Sequence, residues 1–386
     1  MSTISTPRSR DEEGGSWYSL AVLLGCVVVL LALFFVPAVA PTLLRAEHWA
    51  ADWRTAFLSE RLPTTHPNLA IVSITEESLE PFPYILPINR AFMADLVTAI
   101  NEAGPRAIAL DFFFVRDTEA DADDKLKKAL AKASGKVILG AFEQPRRKAQ
   151  LEYQYKFIDG VGATAGYIDL LPDQDHVIRY RTAARAGTRY RESLSALMSK
   201  PLGWAGSPPE RIAWLLPPRD GTSTFLRIEA HKLLGASPEE RAKLLGGRVV
   251  LVGGELFTLD RHWTPLSLRT GAGMRGVEVH AQMAAELIDG NRSYSELTPD
   301  RARLFLATLA VLGIVLGLRF RSRRLDFLDW RVVSLAVIAL DLVLFRFWHV
   351  ILPFTLVAVA WICGVTAGTQ LRNAFVWSRA RWSGVK

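Results

Sequence analysis

Both ends of this chain are too apolar to be ordinary protein surface. Residues 16–44 contain no Asp, Glu, Lys or Arg, residues 304–318 contain none either, and residues 332–371 hold only Asp341 and Arg346. A bilayer core about 30 Å thick needs about 20 apolar helical residues to cross it, so these runs predict membrane helices. Between them lies a soluble block, residues 45–300. Its length suits one large domain or two small ones, and a chain that is 50% hydrophobic is not disordered.

Charge divides along the same lines. The whole chain has a formal net charge of +7, but residues 45–300 hold 32 basic and 33 acidic residues, so the excess sits at the apolar flanks. There it reports membrane orientation and not a nucleic-acid partner. Both cysteines, Cys26 and Cys363, lie in apolar runs, so the soluble block has no disulfide framework.

The first run resembles a signal peptide in carrying Ala38-Val39-Ala40, but it is longer than a secretory core of about 7–15 residues, and an uncleaved anchor is the better reading. Four spans are expected. Five arginines fall between residues 319 and 331, and Arg372, Arg379, Arg381 and Lys386 follow the last run, which puts both segments in the cytoplasm. The resulting domain plan is a cytoplasmic N-terminus at 1–17, a span at 18–44, an exported domain at 45–300, a span at 301–320, a basic cytoplasmic loop at 321–331, spans at 332–349 and 350–371, and a cytoplasmic tail at 372–386.

Inside the exported block, LAIVSI (69–74), AIALDFFFV (107–115), VILGAF (137–142) and VVLVG (249–253) are short and apolar throughout, as strands of a parallel sheet covered on both faces are. Residues 90–103 and 124–133 alternate with them as amphipathic helices. Residues 166–169 and 177–191 have the texture of a strand and hairpin. The expected fold is therefore an α/β domain, mostly a parallel sheet with an antiparallel insertion, plus four transmembrane α-helices.

The order of short motifs adds to this. A membrane run is followed by Asp52-Trp53-Arg54, VSITEESL, PINR at 87–90, the AIALDFFF strand, GYIDLLPDQDHVIR, GRVVLVGG, DRHWTP at 260–265 and GVEVHA at 276–281, and then by clustered apolar runs. This series resembles the CHASE domain family of type two over nearly the whole chain. The resemblance implies a bacterial extracellular sensory domain, of the kind associated with adenylate cyclases, histidine kinases and serine/threonine kinases, carried in the inner membrane. The chain departs from the usual Trp-Pro-Trp type segment by having Leu86-Pro87-Ile88-Asn89-Arg90, and has Glu76 where an aspartate is usual. The tail after residue 371 is short, so no catalytic output is expected.

Several residues are candidates for chemistry. Asp111 interrupts an apolar strand and needs a partner if buried, with Arg90, Arg54 or backbone amides in reach; a ligand-contacting role is the alternative, because open α/β sheets bind ligands at the carboxyl ends of their strands. Asp260, His262 and His280 are the one close carboxylate and imidazole set, but their spacing is no known ligand signature, and a hydrogen-bonded role is preferred to a metal site. Glu278 suits the start of a helix. The arginines at 179, 181, 185, 189 and 191 suit a solvated strand edge better than an anion- or partner-binding ribbon. In the third apolar run, Asp341 is costly and should face either a partner protein or a hydroxyl such as Thr308, Thr355 or Thr366.

No motif for catalysis and no cofactor is recognisable. The expected protein is a non-enzymatic membrane sensor with candidate ligand contacts at Arg90, Asp111, Asp260, His262, Glu278 and His280. It would act through a separate effector, a cyclase, kinase or envelope-complex subunit, and a homo-oligomer is compatible with this. The competing expectation is a structural or assembly subunit of a cell-envelope complex.

Overall fold

The computed structural model describes residues 10–35, 40–133, 135–142, 147–184, 187–256, 260–290, 292–319 and 323–383. Ala38 and Val39, Arg185, Arg321 and Lys386, all used above, lie outside them. The chain divides into two compact units, one formed by Thr55–Tyr294 and one by Met1–Arg54 together with Ser295–Lys386. Residues 45–54 and 295–300, assigned by sequence to the exported domain, thus group with the helical unit.

The first unit is built on six strands: β1 (Leu69–Ile74), β2 (Ala107–Leu110), β3 (Val137–Ala141), β4 (Thr164–Tyr167), β5 (Leu226–Glu229) and β6 (Val249–Gly254). Their order is β4-β3-β2-β6-β1-β5, and every pairing is parallel. Side chains alternate faces along a strand, and the core follows that period. Ala70, Val72, Ile74, Ile108, Leu110, Val250 and Val252 belong to one apolar cluster, and Leu69, Ile71, Ala107, Ala109, Val249 and Leu251 to the other. Helices Arg90–Glu102, Ala120–Lys132 and Lys148–Val161 contribute to the first cluster; helices Leu194–Ser199 and Gly276–Asp289 contribute to the second. Two of the sequence motifs are helix starts. Thr75 and Ser78 of VSITEESL form a capping box, and Asn89 of PINR accepts from the Phe92 amide at 3.0 Å.

The expected antiparallel insertion is not part of this sheet. Residues 177–184 form no hairpin; Val177 makes one parallel bridge to Trp263 and Tyr180 one antiparallel bridge to Arg211. The antiparallel pairing among the described strands is a two-residue ribbon of Arg261–His262 with Met274–Arg275. Nor are the nearby arginines a solvated edge. Arg179 is 2% exposed and bonds Asp173 at 2.9 Å and Asp175 at 2.7 Å, while Arg181 donates to Glu286 at 2.5 Å. Charge alternating along a loop looks like surface in sequence, but here the carboxylates that neutralise it come from the same loop and from a buried helix.

The helical unit contains Arg10–Phe35, Pro299–Arg319, Arg323–Trp348 and Phe354–Ser383, with Ala40–Leu58 contributing its first part. Among the described residues two helices, 300–319 and 354–376, are long and apolar enough to cross a membrane, where the sequence reading expected four. The described apolar stretch of the first helix is only Tyr18–Leu31, and Arg323–Trp348 carries Asp341 and Arg346. The helices Pro299–Arg319 and Phe354–Ser383 approach backbone to backbone through two Gly-x-x-x-Gly pairs. A Cβ at Gly317 would lie 2.4 Å from the Val365 carbonyl oxygen, and one at Gly368 would lie 2.2 Å from that of Ile314.

Asp341 is 2% exposed, and its partner is neither a threonine nor another protein. Arg54 Nη1 reaches both carboxylate oxygens at 2.5 Å, and Arg54 Nη2 donates to the Leu352 carbonyl at 3.2 Å. Glu47 caps a helix nearby by accepting from the Leu356 amide at 2.5 Å.

Candidate functional site

In a wholly parallel sheet all carboxyl ends lie on one edge, and a binding crevice forms where the chain leaves neighbouring strands in opposite directions. That condition is met around β6, because the chain runs outward to β3 and β4 on one side and β5 lies on the other. A cavity of about 660 Å³ opens there, lined by residues that follow β2 (Asp111, Phe112, Phe113), β3 (Phe142), β4 (Ile168, Asp169) and β6 (Gly254, Leu256). The size is that of an ordinary small-molecule site.

Of the six soluble candidates, Arg90, Asp111, Asp260, His262 and His280 line this cavity. Asp111 is the first residue beyond β2, not inside it, and its amide donates to the Val252 carbonyl. Its neighbour is His280, with Nε2 3.7 Å from Oδ1, and the two side chains are 4% and 8% exposed. The expected partners of Asp111 are engaged elsewhere. Arg90 packs over the Phe114 ring at 4.4 Å with Nε 3.4 Å from Asp123, and Arg54 holds Asp341.

Burial sets the protonation of the inner pair. It pushes the Asp111 carboxyl up to about 8, with the negative charge of Asp260 adding to the effect. Burial also pushes the His280 imidazole down to about 4, against the attraction of Asp260. Near neutrality this corner therefore offers a carboxylic O–H and an uncharged imidazole. The separation of 3.7 Å exceeds a direct hydrogen bond, which leaves both groups able to engage a third polar group between them.

Asp260 behaves oppositely. Burial acts to raise its pKa, but the hydrogen bond from His262 at 2.7 Å, the two histidines and the Gly276 amide outweigh it and hold the carboxyl below its usual range. The backbone explains two motifs at once. Asp260 sits at φ 55°, the Gly276 amide donates to its carbonyl at 3.1 Å, and a Cβ on Gly276 would fall 2.0 Å from the carboxylate. The aspartate of DRHWTP thus packs on the glycine of GVEVHA, at the amino end of helix Gly276–Asp289, where a negative charge is favoured. GYIDLLPDQDHVIR joins them, since the Ile178 amide donates to the Trp263 carbonyl.

Glu278 is not brought into this cavity. It bonds Arg227 at 3.0 Å and lines a separate, smaller one. The sequence reading missed the aromatic wall, Phe112, Phe113 and Phe142, with the Phe113 and Phe142 rings 5.4 Å apart. Their signal was position, immediately after apolar strands, but an apolar residue there is indistinguishable from more strand. Among the described residues no group of three or more His, Cys, Asp or Glu side chains is arranged to hold a metal ion.

A parallel α/β unit with a mostly apolar cleft and a few convergent polar groups is the architecture of a small-molecule binding domain. The chain belongs to the CHASE2 domain family, a family of extracellular sensory domains, whose model matches residues 25–318. No curated protein and no solved structure matches it.

Proposed function

We propose that this protein is a multi-pass bacterial inner-membrane sensor whose α/β unit is extracytoplasmic, binds a small molecule in the cleft, and relays its state through the helical unit to a separate effector protein without catalysing a reaction itself. The observation that carries this reading is the cleft, in which apolar walls surround the neutral Asp111–His280 corner and the anionic Asp260–His262 corner. A ligand with an apolar body and one polar, hydrogen-bonding end fits that lining. Membrane insertion is supported by apolar side chains exposed on the candidate spans, such as Leu304, Val311, Val315 and Phe375, and the orientation by the arginines between residues 319 and 331.

The test is a small-molecule screen by thermal unfolding on the full chain in detergent. Ligands of the cleft stabilise the wild type by binding the folded state and fail to stabilise Leu171→Trp, which fills the cavity mouth, and Asp111→Asn. Stabilisation that persists in both variants, or no stabilising compound at all, would overturn the reading. Orientation is checked separately. A cytoplasmic-type reporter fused after Lys386 and an export-type reporter inserted at Gly221 are both active, and the reverse pattern contradicts it.

A further inference from the structure

We propose that the smaller cavity of the α/β unit, on the Arg269 side of helix Gly276–Asp289, is a binding site for a small oxyanion such as phosphate or sulfate, free or as a monoester. The cavity measures about 290 Å³ and is lined by hydroxyls of Ser223, Thr224, Thr264, Ser267 and Thr270 together with the guanidinium of Arg269. It is distinct from the cleft; the two share no lining residue.

The charge arrangement calls for an anion. Glu278 and Arg227, which also line the cavity, satisfy each other at 3.0 Å, and Arg227 is further paired with Glu255. Arg269 has no such partner: no carboxylate among the described residues pairs with it, and its buried Nε has no hydrogen-bond acceptor. Its nearest influential charge is a second guanidinium, Arg61, which itself donates only to the Pro217 carbonyl at 2.5 Å. Burial and then the Arg61 charge hold Arg269 below the usual arginine range. Thr264 is 2% exposed and its hydroxyl also lacks a partner, although its amide is satisfied by Ser267 Oγ at 3.0 Å. Uncompensated guanidinium and unpaired hydroxyl groups around one cavity are the donor set that an oxyanion accepts from, and arginine is suited to it by its fork of parallel N–H groups.

The experiment is calorimetric titration of inorganic phosphate, and separately of sodium sulfate, into the detergent-solubilised full chain at fixed ionic strength set with chloride. Saturable binding to the wild type is expected. Arg269→Gln weakens it by about tenfold or more, and Thr264→Val, which keeps the volume, weakens it by a smaller factor. Leu171→Trp, in the cleft, leaves it unchanged. In chloride alone Arg269→Gln unfolds at a temperature no lower than the wild type, because the substitution relieves a like-charge contact. No saturable binding of either anion, or equal affinity in wild type, Arg269→Gln and Thr264→Val, would overturn the proposal while leaving the cleft reading untouched.

Discussion

Each unit of this protein buries a carboxylate opposite a basic side chain, and the two solve the problem differently. In the helical unit Asp341 is held by Arg54 through both oxygens, with the remaining guanidinium edge spent on the Leu352 carbonyl. In the α/β unit Asp111 and His280 stand 3.7 Å apart on a cavity wall, and burial keeps both uncharged near neutrality. A closed ionic pair fixes one helix packing; an open neutral pair leaves hydrogen-bonding capacity for something else. Structural and binding roles for a buried carboxylate are thus told apart by whether its partner saturates it, which residue type alone does not reveal.

The largest consequence of that contrast is expected in the helical unit. Removing one member of a buried ion pair leaves the other uncompensated and destabilises by about 3–5 kcal/mol, whereas removing both is far milder. Asp341→Leu and Arg54→Leu should each sharply lower the level of folded protein in membranes, and the double variant should recover most of it. If the double variant is no better than either single one, the pair is not the closed unit described here. The companion element is the glycine contact, where Gly317→Leu forces a side chain against the Val365 carbonyl oxygen. Overpacking of this kind should lower stability by about 3 kcal/mol, the upper end of its range. An unchanged unfolding temperature would show that the helices separate freely.

The open pair should instead show itself in pH dependence. The folded pKa of Asp111, about 8, lies above the ordinary 3.8, so its contribution is full below the ordinary value and is lost as pH rises towards 8. For His280 the folded value, about 4, lies below the ordinary 6.5, so its contribution is present above 6.5 and is lost as pH falls towards 4. Between about 4 and 6.5 the two offset. From 6.5 to 8 Asp111 acts alone, and this pair should take away stability on the order of 2 kcal/mol. Asp111→Asn should flatten the decline above pH 6.5 in a thermal-unfolding series, and His280→Gln should extend it down towards pH 4. A wild-type profile indistinguishable from both variants would mean that the pair is neither buried nor neutral.

How much of this was legible beforehand follows from range of interaction. The strands β1, β2, β3 and β6 were readable because burial on both faces leaves no polar alternation, and the helix starts because capping is local. The helix Lys148–Val161 and strand β5 were missed, since the first is polar along much of its length and the second, LRIE, is half-buried and charged. Arg90, Asp111, Asp260, His262 and His280 could be named as candidates from residue type and motif. Their convergence could not, because it depends on the crossover that inserts β6 between β1 and β2. The Arg54–Asp341 pair spans 287 positions, and no pattern in either segment points to the other.

The smallest expected effect tests whether the outer, charged corner of the cleft also has a structural duty. Asp260 stands in the left-handed region at φ 55°, which a non-glycine residue adopts only when its surroundings favour it. What favours it is the carboxylate at the start of helix Gly276–Asp289, whose cap residue Arg275 makes no side-chain capping bond of its own. Asp260→Ala removes that charge while keeping the backbone strained, and should lower stability by about 1 kcal/mol, the usual worth of an N-terminal cap. Asp260→Gly relieves the strain at the same time and should lose less. The folded pKa of Asp260 is depressed, so the carboxylate's contribution is present above the ordinary value of 3.8 and is lost as pH falls below it. The gap between wild type and Asp260→Ala should therefore close in acid. A gap that stays constant from neutral pH down to pH ~3 would assign the loss to the backbone and not to the charge, and Asp260 would then be free to serve the cleft alone.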